Sequence, residues 1–183
     1  MTAVNPLVDN LDGHTTWFRL ADPSWTSPLD TSYAESNGGR WNSPGSHATL
    51  YLCADVATAA AQIARLLQGT FLVEEDLRDD AYLLVPVTLP RGLSAADAHS
   101  ERGLQALGLP TTYPHTATGA VVSHTRCQPI GDEVARQGLG GVHACSATPG
   151  AHPHHRELAW FPKPGERATA GDPLPYLTWR HAH

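Results

Sequence analysis

No stretch of this sequence approaches the roughly 18 consecutive apolar residues that a membrane span requires, and the first twenty residues lack a basic segment leading into an apolar one. Neither membrane insertion nor secretion is expected, and the expected compartment is the cytoplasm. Basic residues are also in deficit: 12 Lys and Arg stand against 18 Asp and Glu, a formal net charge of −6. A protein that tracks a nucleic-acid backbone needs a basic face to displace counterions, so direct nucleic-acid binding is not expected. Cysteine is scarce as well. Cys53, Cys127 and Cys145 are odd in number and widely spaced, which fits reduced, structural thiols better than a disulfide framework or a zinc site. Charged residues make up only 16% of the chain, while Gly and Pro contribute 16 and 15 residues. That balance points away from a helical bundle and toward a loop-rich protein mixing helices and strands. The 183 residues suffice for one sizeable core.

Residues 1–16 are polar and patternless and read as a loosely ordered arm, with the main domain over 17–162 and a Pro- and Gly-rich tail over 163–183 packed on it. Trp17-Phe18-Arg19-Leu20 reads as a short strand, stopped by Asp22-Pro23. A long loop leads to Gly38-Gly39-Arg40-Trp41-Asn42 and the turn Ser43-Pro44-Gly45, after which Ala48 to Leu52 has the composition of a buried strand. Asp55 is a good N-cap for a helix over Val56 to Leu67. There Val56, Ala59, Ala60, Ile63, Leu66 and Leu67 keep helical spacing, Gly69 is placed to end it, and Gln62 falls at the edge of the apolar stripe. Further strands are expected at Thr70 to Val73 and Ala81 to Val87, Gly140 to Ser146 reads as a turn into a strand, and Glu157 to Phe161 as the last strand. One or two short helices are expected within Ser94 to Leu107, and a helical turn over Asp132 to Gln137. From Pro110 to Thr125 local signals give no element.

Arg19, the Gly38–Asn42 run, Tyr51, Gln62 and Ser146 all fall at ends of expected strands or on the adjoining helix, where ligand clefts form. Arginines beside glycine-rich backbone suit a pyrophosphate, because a planar guanidinium pairs two phosphate oxygens and glycine lets the main chain approach closely. An aromatic such as Tyr51 can stack on a flat heterocycle.

The order of these features is similar to the RES domain: a strand arginine, then Gly-Gly-Arg-Trp-Asn-x-Pro-Gly, a short strand with Tyr, an alanine-rich helix, and a late Gly-Gly-hydrophobic strand with Ser. The family is named for an arginine, a glutamate and a serine. In this resemblance Arg19 and Ser146 take the first and last places, Arg40 is the second arginine and Tyr51 the tyrosine. It implies a mixed α+β fold like that of ADP-ribosyltransferases, with two small β-sheets and flanking helices. It also implies NAD⁺ as substrate, hydrolysed, phosphorolysed or used for ADP-ribosyl transfer, and no metal. The NAD⁺-binding residues would be Arg19, Gly39, Arg40 and Tyr51, and the catalytic ones Arg19, Gln62 and Ser146. Members of the family are toxins silenced by a helix-turn-helix antitoxin, the partner implied here, and a homodimer is compatible with the resemblance.

One position departs from it. The place of the family's glutamate holds Gln62. Cleaving a nicotinamide–ribose bond builds positive charge on the sugar, and a carboxylate at ~4 Å and an effective dielectric of ~20 is worth about 4 kcal/mol to it. A neutral amide offers only hydrogen bonds. Glu157 and Glu74 are alternative carboxylates, although nothing in the sequence places either in the cleft. The departure keeps other readings open, a catalytically impaired RES-like module that binds a nucleotide or a protein, or an enzyme of specialised metabolism acting on a nucleotide-like substrate. Residue by residue, structural roles compete too: Trp41 reads as core, Ser146 as a strand-edge hydroxyl, Cys145 as a buried thiol. His143 with His152, His154 and His155 lacks the spacing of a metal site.

Overall fold

The computed structural model describes residues 4–180. Its strands are β1 (Val8–Asn10), β2 (Trp17–Ala21), β3 (Leu50–Cys53), β4 (Leu83–Thr88), β5 (Ser94–Ala98), β6 (Gly141–Cys145), β7 (Arg156–Trp160), β8 (Thr169–Ala170) and β9 (Leu174–Pro175). The helices are α1 (Ser32–Asn37), α2 (Val56–Leu67), α3 (Glu101–Ala106), α4 (His124–Arg136) and α5 (Tyr176–Arg180). All nine strands join one mixed sheet in the order β1-β5-β6-β7-β3-β2-β4-β8, with β9 also on β4. Only β5 and β6 run parallel. The two sheets implied by the resemblance are therefore fused into one. The fusion is narrow: β2 pairs with β4 over Trp17 to Ala21 and β3 with β7 over Leu50 to Cys53, but β2 and β3 share the single register pair Phe18↔Cys53.

Alternation along the strands divides the core. Leu50, Leu52, Val85, Val87, Leu158 and Trp160 point to one side and pack on each other with Trp17. Trp17 on β2 meets the His143 ring of β6 edge-on at 5.5 Å although two strands separate them in the sheet, so the sheet coils and this inner side closes on itself. The residues between them face outward and are covered by two groups of helices. Ala96, Val142, Ala144 and Ala159 take the face of α3 and α4. Cys53 and Leu84 take α2 and the tail helix α5, with Ile63, Tyr176 and Trp179.

Several elements follow the sequence closely. In α2 the Asp55 side chain accepts from the Thr58 N–H at 2.7 Å, and Ala59 and Ile63 are buried. Others depart from it for identifiable reasons. Thr70 to Val73 forms no strand; Phe71, Leu72 and Val73 are exposed and find no partner strand among the described residues. Ser94 to Ala98 is a strand and not a helix, since this alanine-rich segment is held between β1 and β6 on both sides. Its small side chains let α3 come close, and a Cβ on Gly103 would lie 2.3 Å from the Asp97 carbonyl. The helical turn expected at Asp132 is the end of the longer α4, whose buried Cys127, Ile130, Gly131 and Val134 keep helical spacing through Pro129. β7 is not the last strand, because the tail adds β8 and β9 along β4.

Near the N-terminus, where the sequence gives no element, β1 pairs with β5 and is tied by side chains. Asp9 Oδ2 accepts from His143 Nδ1 at 2.7 Å and from His99 Nε2 at 3.2 Å. Burial raises the Asp9 pKa, yet these two bonds outweigh it and leave the carboxyl below its ordinary value. Burial lowers the His143 pKa below 6.5 despite Asp9. The unfolded chain therefore binds more protons at His143 than the folded one as pH falls below about 6.5, so stability should drop there, and drop again below the ordinary Asp range as Asp9 protonates. Urea unfolding at pH 7.5 and 5.5 should show a smaller loss in His143→Gln than in the unsubstituted protein; equal losses would contradict this.

Candidate active site

Where β2 and β3 part beyond Phe18 and Cys53, backbone groups lose their ladder partners. Arg19 fills the gap, its Nη1 donating to the Tyr51 carbonyl at 2.8 Å. Its Nε is buried with no partner, its guanidinium lies under the Trp25 ring at 5.3 Å, and burial lowers its pKa. Among the described residues no carboxylate pairs with it. A half-desolvated cation without a counter-charge is poised for an anion.

Tyr51 serves the other side. Its hydroxyl donates to Asn42 Oδ1 at 2.8 Å and accepts from the Trp41 N–H at 2.9 Å, and burial raises its pKa. The fully buried Asn42 in turn donates to the Ala34 carbonyl. Gly39 packs against the tyrosine ring, where an added Cβ would clash with the hydroxyl and ring carbons. Helix α4 presses on the same turn: Gln128 Nε2 donates to the Gly39 carbonyl at 3.0 Å, and Asp132 accepts from the Ser43 N–H at 3.0 Å. Gly131 sits against the Trp41 carbonyl, leaving no room for a side chain. The glycine-rich turn is thus clamped between α1, β3 and α4.

Two hollows meet at Gly39 and Tyr51, which line both. The larger, about 830 Å³, holds Arg19, Trp25, Asp30 and Tyr33, a size typical of cofactor and small-molecule sites. The smaller, about 240 Å³, holds Arg40, Gln62, Arg65, His124, Thr148 and Glu157. Arg40 spends Nη1 on the Val122 carbonyl at 2.7 Å, anchoring the segment before α4. The His124 pKa is lowered by burial and then by Arg40 and Arg65.

Arg19, Gly39, Arg40, Tyr51 and Gln62 therefore line two hollows that share Gly39 and Tyr51 as a common wall, with the Arg19 guanidinium in one and those of Arg40 and Arg65 in the other. Ser146 is buried and lines neither; its hydroxyl donates to Glu157. Trp25 and Tyr33, in a loop and a short helix without pattern, carry no mark in the sequence, and Glu157 reaches its hollow only through the sheet. The only signal for Glu157 was a charge inside an otherwise apolar strand, and its meaning depends on β7 being paired on both sides. Asp9, His99 and His143 offer ligand atoms within 4.8 Å of one another, but none lines either hollow, and their hydrogen bonds already account for the grouping.

A family profile described as the RES domain matches residues 16–179. No curated protein matches the chain in sequence. Among solved structures, the crystal structure of the M. tuberculosis MbcT–MbcA toxin–antitoxin complex contains a chain similar to this one at a TM-score of 0.71 and 18% identity, over 94% of this chain and 90% of that one. At that identity the likeness concerns the fold.

Because the Tyr51 hydroxyl joins β3 to the glycine-rich turn, Tyr51→Phe should leave the Trp41 N–H without its acceptor and Asn42 Oδ1 without its donor. The expected loss is about 1–3 kcal/mol of stability, read from the urea midpoint. A change below about 0.5 kcal/mol would show that the hydroxyl does not organise the turn.

Proposed function

Because the chain belongs to the RES domain family, we propose that it consumes NAD⁺, cleaving the bond between nicotinamide and ribose and passing the ADP-ribosyl group to water, phosphate or a protein. The observation that carries this reading is the Arg19 guanidinium, with no carboxylate partner among the described residues, in a cofactor-sized hollow that shares Gly39 and Tyr51 with the hollow lined by Arg40. Two cations flanking close-approach glycine backbone suit a pyrophosphate. Trp25 and Tyr33, 46% and 77% exposed, offer stacking faces for a flat base. In this reading Tyr51 contacts the nicotinamide end, Gln62 reaches a ribose hydroxyl, and Ser146 acts from behind through Glu157.

The same reading makes the chain a toxin held in check by an antitoxin. The MbcT–MbcA structure is of such a pair. Here Leu66, on the wall of the smaller hollow, together with Phe71, Leu72 and Val73 leaves apolar surface exposed where α2 ends. An apolar patch beside a cleft mouth is what a partner covering that cleft would use.

Incubating the protein with NAD⁺, with and without phosphate, and separating the products should show free nicotinamide. Arg19→Gln and Arg40→Gln should each weaken NAD⁺ binding about 10–100-fold, the range for losing a charge-assisted hydrogen bond. Absence of both turnover and binding would overturn the reading. Expression in a bacterial host should lower cellular NAD⁺ and arrest growth, and Arg19→Gln should relieve both effects.

A further inference from the structure

The NAD⁺-consuming reading leaves a chemical gap. A departing nicotinamide takes the electron pair of the bond between C1′ and its ring nitrogen, and the sugar left behind carries positive charge. Gln62 cannot oppose that charge. Resting on that reading, we propose that the opposing carboxylate is Glu157, so that the negative charge is delivered from strand β7 and not from helix α2.

Three observations converge on it. First, Glu157 lines the smaller hollow with Arg40, Tyr51 and Gln62, and it is the only carboxylate among the described residues that does. In the larger hollow the one carboxylate, Asp30, is tied to the Ser32 N–H and hydroxyl at the surface. Second, its position is dictated by register. Glu157 pairs with Cys53 on β3 and Ala144 on β6, inside the sheet, and it shares the helix-covered side with Tyr51 and Ala159. A charged residue in such a strand cannot swing away to solvent as a helix-surface residue can.

Third, its hydrogen bonds are one-sided. Gln62 Nε2 at 3.3 Å, Thr148 Oγ1 at 3.5 Å and the Ser146 hydroxyl all donate to Oε1. Oε2 has no hydrogen-bond partner among the described residues and is not sealed from solvent. Among the described residues no Lys, Arg or His forms an ion pair with Glu157. One oxygen is held by three neutral donors while the other is left open, an arrangement that orients a charge without neutralising it. The amide at position 62 then has a reason. A glutamate there would set a second carboxylate against the first at hydrogen-bonding distance, and like charges that close resist joint ionisation. Gln62 and Glu157 form a hydrogen-bonded pair of one amide and one carboxylate.

The step balances with water as acceptor. The C1′–N bond breaks and its electrons leave with neutral nicotinamide; Glu157 opposes the charge on the ribosyl carbon; the water oxygen forms the new C–O bond and its proton goes to solvent.

The test uses Glu157→Gln, which keeps an acceptor oxygen for Ser146 and Thr148 and removes only the charge, beside the exchanged variant Gln62→Glu/Glu157→Gln. Glu157→Gln should lower nicotinamide release at least 100-fold, with the Kd for NAD⁺ within threefold and the melting temperature preserved. The exchanged variant should regain at least tenfold of that loss. Turnover in Glu157→Gln within threefold of the unsubstituted protein overturns the assignment, and so does a loss that the exchange does not relieve, which would make Glu157 structural. If Glu157→Gln melts too low to assay, the exchanged variant decides alone: above one tenth of the unsubstituted turnover supports the assignment, and below it overturns it. An unsubstituted protein that neither binds nor cleaves NAD⁺ sinks the broader reading and the carboxylate with it, whereas cleavage unaffected at position 157 sinks only the latter.

Discussion

Tyr51 is the joint on which this architecture turns. Its carbonyl receives Arg19 across the gap between β2 and β3, and its hydroxyl holds Trp41 and Asn42 of the glycine-rich turn. A sheet that parts along one seam must satisfy the backbone groups exposed there or lose stability. Here a side chain does so, and the gap becomes a cleft instead of a defect. The residue that closes the hydrogen-bond account on one side is the one that positions the Gly39 backbone on the other. The geometry of the candidate site and the integrity of the fold thus rest on the same set of contacts.

What was legible in the sequence was whatever is written locally. Asp55, the apolar stripe of α2 and Gly69 state a helix with its ends, and Trp17 to Leu20 states a strand, because caps and periodicity act within a few residues. What was illegible depended on distant partners. Ser94 to Ala98 has the composition of a helix, and only the flanking β1 and β6 make it a strand. Thr70 to Val73 has the composition of a strand and finds none to join. The stripe Cys127, Ile130, Gly131, Val134 was a readable helical signal, obscured by Pro129 and by the polar run before it. The candidate site divides the same way. Arg19, Arg40 and Tyr51 belong to a recognisable order of motifs, whereas Trp25, Tyr33 and Glu157 reach the cleft only through tertiary placement.

Charge of both signs lines the two hollows. Arg19 and Asp30 line the larger hollow and Arg40, Arg65 and Glu157 the smaller, all on a chain that is acidic overall. An anionic dinucleotide would meet local positive potential on a negative background, which favours a site defined by pocket geometry over broad electrostatic attraction.

The far border of the sheet has a meaning of its own. The outer side of β4 is occupied by two separate two-residue strands, β8 and β9, and the second ends in Pro175, which has no N–H to give. A border so fragmented offers no continuous template on which another chain could extend the ladder, so strands of neighbouring molecules have little to zip onto. The C-terminal segment acts as a selvedge along this border of the sheet.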